Sequence, residues 1–213
     1  VIQHFYHIWA EGAWAPPAEE HDHALEEAGF PVKPKLGVTG AVEDRYVVAC
    51  WAKAHGWEIV AEADEGFEQL TVSAMRRWAM SGEEPAAVLY AHAKGARTDL
   101  NGVNAHWRRE MTARVVGEWE VCVRLLERHD AVGCGWRNAA EYPDVIFTEG
   151  SGVFFGNFWW ATRDYLRALP EPGLLNRYDA EGWVGLGHPD AVDMMPAWIH
   201  HFGPSGASIV AAH

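Results

Sequence analysis

The chain has 213 residues, enough for one domain spanning 1–213 that buries roughly 70% of the surface exposed by its unfolded form. A formal charge of −13 argues against a general nucleic-acid-binding or anionic-membrane surface, because those need clustered Lys and Arg. No apolar run reaches the roughly 18 residues needed to span a membrane, and the odd, scattered Cys50, Cys122 and Cys134 contain no CxxC pair, so they read as buried thiols of a cytoplasmic protein.

In chain order, "IQHFYHIW" (2–9) is a first strand, and "EGAWAPPAEEHD" (11–22) is a loop leading into a short helix. "KLGVTG" (35–40) is a second strand, followed by a helix over 43–55 that stops at Gly56. "EIVAEA" (58–63) is the third strand. The stretch 67–80 is helical, with Phe67, Leu70, Ala74 and Trp78 on one face, and Pro85 resets the chain before a fourth strand, "AAVLYA". A long helix follows over 104–128, with Trp107, Met111, Val115, Trp119, Cys122 and Leu126 as its buried stripe. "AVGCGW" (131–136) is strand five, and 144–161 holds one or two more strands broken by Gly150 and Gly152. Strands alternating with helices give an α/β fold, a mainly parallel sheet covered on both faces, with ligands beyond the carboxyl ends of the strands.

That edge is where "HAKG" falls. His92 and Lys94 are two apart and so face one side, and Gly95 allows close approach of the backbone. The Lys94 ammonium suits a phosphate, and Arg97 adds a planar fork. Arg108 and Arg109 open a helix, where they oppose its dipole unless an anion or carboxylate accepts them. In "GNFWWATRDYL" (156–166), Trp159 and Trp160 point to opposite sides. One of them is therefore expected to line a cleft and stack on a sugar ring, with Asn157 reading hydroxyls. "NRYDAEGWVG" (176–185) sets Arg177, Asp179 and Glu181 among aromatic residues, including Trp183. A partly desolvated carboxylate there suits general-base work.

Tyr90-Ala-His92-Ala-Lys94-Gly95, Trp107-Arg108, Gly156-Asn157-Phe158-Trp159-Trp160-Ala161 and Ala180-Glu181-x-Trp183, in this order, resemble small GT-A-type glycosyltransferase-like proteins of bacteria and their phages. The His-x-Lys element is distantly similar to the rhamnan-synthesis glycosyltransferases. The resemblance implies a GT-A-like fold that moves a sugar from a nucleoside-diphosphate sugar to the hydroxyl of a glycan, a protein or a modified nucleobase. It also implies that His92, Lys94 and Arg108 hold the donor diphosphate. On this reading Glu181, with Asp179 as its substitute, activates the acceptor, and Gly37 lies near the nucleoside base. The family's metal-binding Asp-x-Asp is replaced here by His92 and Lys94, so no metal or other cofactor is required beyond the donor. The competing readings are a carbohydrate-binding module without turnover and a His-dependent metallohydrolase.

Overall fold

The structure, a computed structural model, describes residues 1–94, 102–138, 152–173 and 178–195. The first half runs β1 (Ile2–Trp9), α1 (Ala15–Glu27), β2 (Lys35–Thr39), α2 (Val42–His55), β3 (Glu58–Ala63), α3 (Gln69–Ser81) and β4 (Ala87–His92). The second half runs α4 (Val103–Thr112), α5 (Trp119–Leu125), β5 (Ala131–Gly133), β6 (Trp136–Asn138), β7 (Gly152–Phe154), β8 (Trp159–Thr162), α6 (Arg163–Ala168), α7 (Tyr178–Gly182) and β9 (Ala191–Asp193).

Seven strands form one sheet in the order β3-β2-β1-β4-β8-β5-β9, and β6 pairs with β7 in a separate ribbon. All neighbours in the large sheet are parallel except β8, which runs antiparallel to both β4 and β5. The expected mainly parallel sheet covered on both faces is what forms. Each face carries its own apolar cluster, and strand alternation sorts residues between them. Tyr6, Ile8, Leu89, Ala91 and Trp160 pack on one side with α1, α2 and α4. Phe5, Val88, Tyr90, Trp159 and Ala161 pack on the other with α3.

Two helices differ from expectation. The chain begins α3 at Gln69, so Phe67 precedes the helix and stays exposed, and the buried stripe is Gln69, Thr71, Val72, Met75 and Ala79 with Ala74. Polar Gln69 and Thr71 on the inner face disguised that stripe in the hydrophobic pattern. The long helix over 104–128 is broken instead. A π-helical turn, Ala113–Gly117, and a non-helical Glu118 separate α4 from α5. Met111, Val115, Cys122 and Leu126 remain buried, whereas Trp119 is half-buried and donates its indole N–H to the Ala28 carbonyl. Strand five likewise divides at Cys134 and Gly135 into β5 and β6.

Polar contacts stitch the helical layers to the sheet. The Asp22 carboxylate on α1 receives Trp57 Nε1 and Lys33 Nζ, each at 2.8 Å, and lies 2.8 Å from His55 Nδ1, which joins α1 to the end of α2. Deeper, His4 Nδ1 lies 3.2 Å from the Leu89 carbonyl, which can only accept, so that nitrogen carries the proton. His4 Nε2 is then the acceptor for His21 Nε2–H across 2.7 Å. Both rings are therefore held neutral. Burial pushes His4 down to about 3, His7 to about 4, and His21 well below its ordinary value.

These shifts fix the sign of one pH dependence. The unfolded chain takes up protons near pH 6.5 while the folded rings refuse them, so stability is complete above that value and is lost as pH falls. Between pH 6.5 and 5, each such histidine should remove up to about 1.4 kcal/mol per pH unit. Urea unfolding across that window should show the decline; a flat profile would mean that the rings are in contact with water.

Candidate functional site

The sheet changes winding direction between β1 and β4. From β1 the chain moves outward to β2 and β3, then returns to place β4 on the other side of β1. In open α/β sheets the ligand crevice lies at the carboxyl ends of the strands at such a point. His7 and His92 are register partners there, at the ends of β1 and β4. His7 points to the α3 side, with Nδ1 2.8 Å from Thr71 Oγ1 and Nε2 3.4 Å from Thr39 Oγ1.

His92 shares that side. Its Nε2 lies 2.9 Å from the Gly156 carbonyl, and its Nδ1 lies 3.0 Å from Glu68 Oε1. The other Glu68 oxygen accepts from Tyr90 Oη at 2.9 Å and from Asn157 Nδ2 at 2.6 Å, while Trp159 Nε1 donates to Asn157 Oδ1 at 2.6 Å. Burial alone would raise the Glu68 carboxyl. The charge and hydrogen bond of His92, then His7 and Tyr90, outweigh it and hold the group below the usual carboxylate range. The Tyr90 phenol is pushed well up, first by burial and then by the Glu68 charge, with a further contribution from Glu181.

Beyond His92 the strand turns. Ala93 N donates to the His7 carbonyl at 3.0 Å and Lys94 N to the His92 carbonyl at 2.7 Å. The Lys94 ammonium sits 4.3 Å from the centre of the Trp107 ring, which stacks on Phe155 at 6.0 Å. Arg108 grips the same turn from α4: Nη1 donates to the Lys94 carbonyl at 2.6 Å, and Nη2 and Nε donate to Glu20 at 2.7 and 3.1 Å. The ion pair with Glu20 takes up an Arg in the first turns of a helix, so the guanidinium is an internal brace and not an outward-facing anion contact.

Residues 36–181 match the family described as Domain of unknown function (DUF8361). The chain belongs to that family. The matched span of this DUF8361 chain contains Glu68, Tyr90, His92, Lys94 and Asn157 and ends at Glu181; β1 with His7 lies before it. No curated protein matches the sequence. Among solved structures, glucosyl-3-phosphoglycerate synthase from Mycobacterium tuberculosis in complex with Mn2+, UDP and phosphoglyceric acid is similar at a TM-score of 0.53 and 15% identity, over 91% of this chain and 67% of that one. The same enzyme with Mn2+, UDP and glucosyl-3-phosphoglycerate gives 0.49 and 14%, over 92% and 70%. The architecture is accordingly GT-A-like: a mixed, mainly parallel sheet between two helical layers.

The structure redistributes the residues singled out from the sequence. Trp159 and Trp160 do face opposite sides, but both sides are covered, so both are fully buried and neither lines a cleft. Trp183 is also fully buried, with its indole N–H on the Pro170 carbonyl. Asn157 is buried with both ends of its amide engaged, so it reads Glu68 and Trp159 and no sugar hydroxyl. Gly37 is a packing glycine: a Cβ there would lie 1.9 Å from Thr71 Oγ1. His92 has both ring nitrogens committed inside the protein and ties three elements together. Asp179 and Glu181 are half-buried on α7, which packs against β7 and α3, and the Glu181 charge reaches Tyr90. Gly95, Arg97 and Arg177 lie outside the described residues. Glu68, His7 and Thr71 were missed because nothing near them in sequence marks them; only the pairing of β1 with β4 brings them together.

Among the described residues no group of three or more His, Cys, Asp or Glu side chains is arranged to hold a metal ion. Of the two β4-end residues that replace the Asp-x-Asp pair, His92 has both ring nitrogens on protein partners and Lys94 brings a positive charge of its own.

The Gly156-Asn157 turn yields a direct test. Asn157 has φ +59°, a left-handed backbone that Asn tolerates better than most residues. Asn157→Ala keeps that backbone cost and removes a buried donor and acceptor, so it should destabilise the chain by about 2 kcal/mol or more in urea titrations. Asn157→Gly, relieved of the backbone cost, should lose less.

Proposed function

We propose that this protein is a glycosyltransferase that takes a sugar from a nucleoside-diphosphate sugar and passes it to an acceptor hydroxyl. One observation carries the reading: in a GT-A-like sheet, the crevice between β1 and β4 ends in the braced Lys94 turn above the His7–His92 pair. A diphosphate leaving group gathers negative charge as the glycosidic bond breaks, and a fixed ammonium stabilises it without reorganising. Arg108 holds the Lys94 backbone to Glu20, so the ammonium starts from a defined turn. Glu181, beside the Tyr90–Glu68 network, is the proposed base that removes the acceptor proton, with Asp179 as its substitute. The fold likeness also supports a nucleotide-sugar donor: the similar enzyme named above was crystallised with UDP.

Two rivals are weakened by specific geometry. A carbohydrate-binding module needs an exposed aromatic platform, but Trp159, Trp160 and Trp183 are core residues. A histidine-dependent metallohydrolase needs a cluster of free imidazole nitrogens, but His4, His7 and His92 have both ring nitrogens on protein partners, and His21 has only its buried Nδ1 left over.

A thermal-shift screen with UDP, GDP, ADP, dTDP and their glucose conjugates tests the donor reading, since a ligand at a hundredfold its Kd adds about 2.7 kcal/mol. Silence across the whole set would falsify it. With a donor in hand, Lys94→Met should weaken diphosphate binding about tenfold or more. Glu181→Gln should leave donor affinity unchanged and lower turnover about a hundredfold or more. Turnover should persist in EDTA; its loss, with recovery on adding manganese, would place a metal site elsewhere on the chain.

A further inference from the structure

The carboxylate that organises the crevice comes from neither strand that forms it. Glu68 stands at the start of α3, where its carbonyl receives the amides of Thr71 and Val72. Its side chain reaches Tyr90 and His92 on β4 and Asn157 in the turn before β8. Asn157 (φ +59°) holds a left-handed backbone there, beside Gly156 (φ +99°), which adopts positive φ without strain. A non-glycine residue in that conformation is kept there by surroundings that over-determine it. Here the Gly156 carbonyl faces His92, and the Asn157 amide is fixed by Glu68 and Trp159. Two of these holds run through the one carboxylate, directly to Asn157 and through His92 to Gly156, while the Trp159 indole and the Phe154 carbonyl, 2.9 Å from the Asn157 backbone nitrogen, supply the others. The same His92 is the last residue of β4, and its carbonyl anchors the Lys94 amide.

We propose that Glu68 is a positioning residue of the donor site, fixing the end of β4 against the Gly156-Asn157 turn so that Lys94 is presented at the crevice. The inference rests on the donor reading above. The influence of Glu68 on Lys94 passes through His92 and the turn. A carboxylate suits the task because it only accepts, and it takes Tyr90, Asn157 and His92 at once. Glutamine retains the oxygen for Tyr90 and Asn157 and offers an amide N–H to His92 Nδ1, so it preserves the geometry. Alanine preserves none of it.

The test is a double-mutant cycle between positions 68 and 94, read as the Kd of whichever of UDP, GDP, ADP or dTDP binds the wild-type chain. Circular dichroism and thermal midpoints establish that each variant is folded. Glu68→Ala should raise Kd about tenfold, and Glu68→Gln should restore it to within about threefold of wild type. Adding Lys94→Met to Glu68→Ala should cost much less than it does in the wild-type background, because the misplaced ammonium has already lost its contact. A folded Glu68→Ala chain with wild-type Kd, or strictly additive losses, overturns the proposal while leaving the donor reading intact. If no diphosphate binds the wild-type chain, the donor reading fails and this proposal fails with it. Should Glu68→Ala not fold, Glu68→Asp keeps the charge but shortens the reach by one methylene. It should give a smaller rise in Kd with the same coupling to Lys94, and additivity there overturns the proposal equally.

Discussion

Placing the Glu68 carboxylate under the end of β4 costs desolvation that only converging donors offset. Tyr90, His92 and Asn157 supply them, and each comes from a segment that must be correctly placed before the bond can form. The carboxylate thus couples the start of α3, the last turn of β4 and the approach to β8. The left-handed turn at Gly156-Asn157 depends on that coupling, and so does the position from which Lys94 leaves the sheet. His7 extends the same polar layer to β1 through Thr71, whose hydroxyl occupies the space that a side chain at position 37 would need. The glycine in β2 and the threonine on α3 are therefore one packing decision.

On the opposite face, a second, partly buried polar set performs a mechanical task. Glu20 on α1 draws in Arg108, and Arg108 in turn holds the Lys94 carbonyl. The Lys94 turn is thus held from both sides of the sheet, by Glu68 through His92 and by Glu20 through Arg108. On the proposed donor reading, a lysine whose backbone is held in this way has less to reorganise when an anion arrives. The aromatic pair Trp107 and Phe155 provides the apolar wall beside it.

The GT-A-like sheet places these groups but does not by itself say what they act on, because one architecture carries many chemistries. At the end of β4 the structure sets a cation, Lys94, above a polar layer built from Glu68, Tyr90 and His92. Among the described tryptophans, Trp57, Trp159, Trp160 and Trp183 are buried with their indole N–H groups on Asp22, Asn157, Val115 and Pro170, which is how these large polar-edged rings are accommodated.

The strand-helix alternation of the first ninety or so residues was legible in the sequence because each element is local: short apolar runs for β1 to β4, helical spacing for α2, and Gly56 as its stop. The carboxyl edge followed from that alternation, and with it the prominence of Lys94 and the opposite facing of Trp159 and Trp160. What sequence reasoning could not supply was the environment on each side. Whether Trp160 meets solvent or core depends on α4 and its π-helical break crossing behind β8, and nothing within "GNFWWA" records that. The roles of Asn157, His92 and Arg108 changed for the same reason. Apart from Asn157 Oδ1, which accepts from nearby Trp159, the partners of their side-chain polar atoms lie 14 to 89 residues away. Local pattern fixes which way a side chain points. The fold alone decides what it meets, because hydrogen bonds and ion pairs form between whatever groups the sheet order brings together.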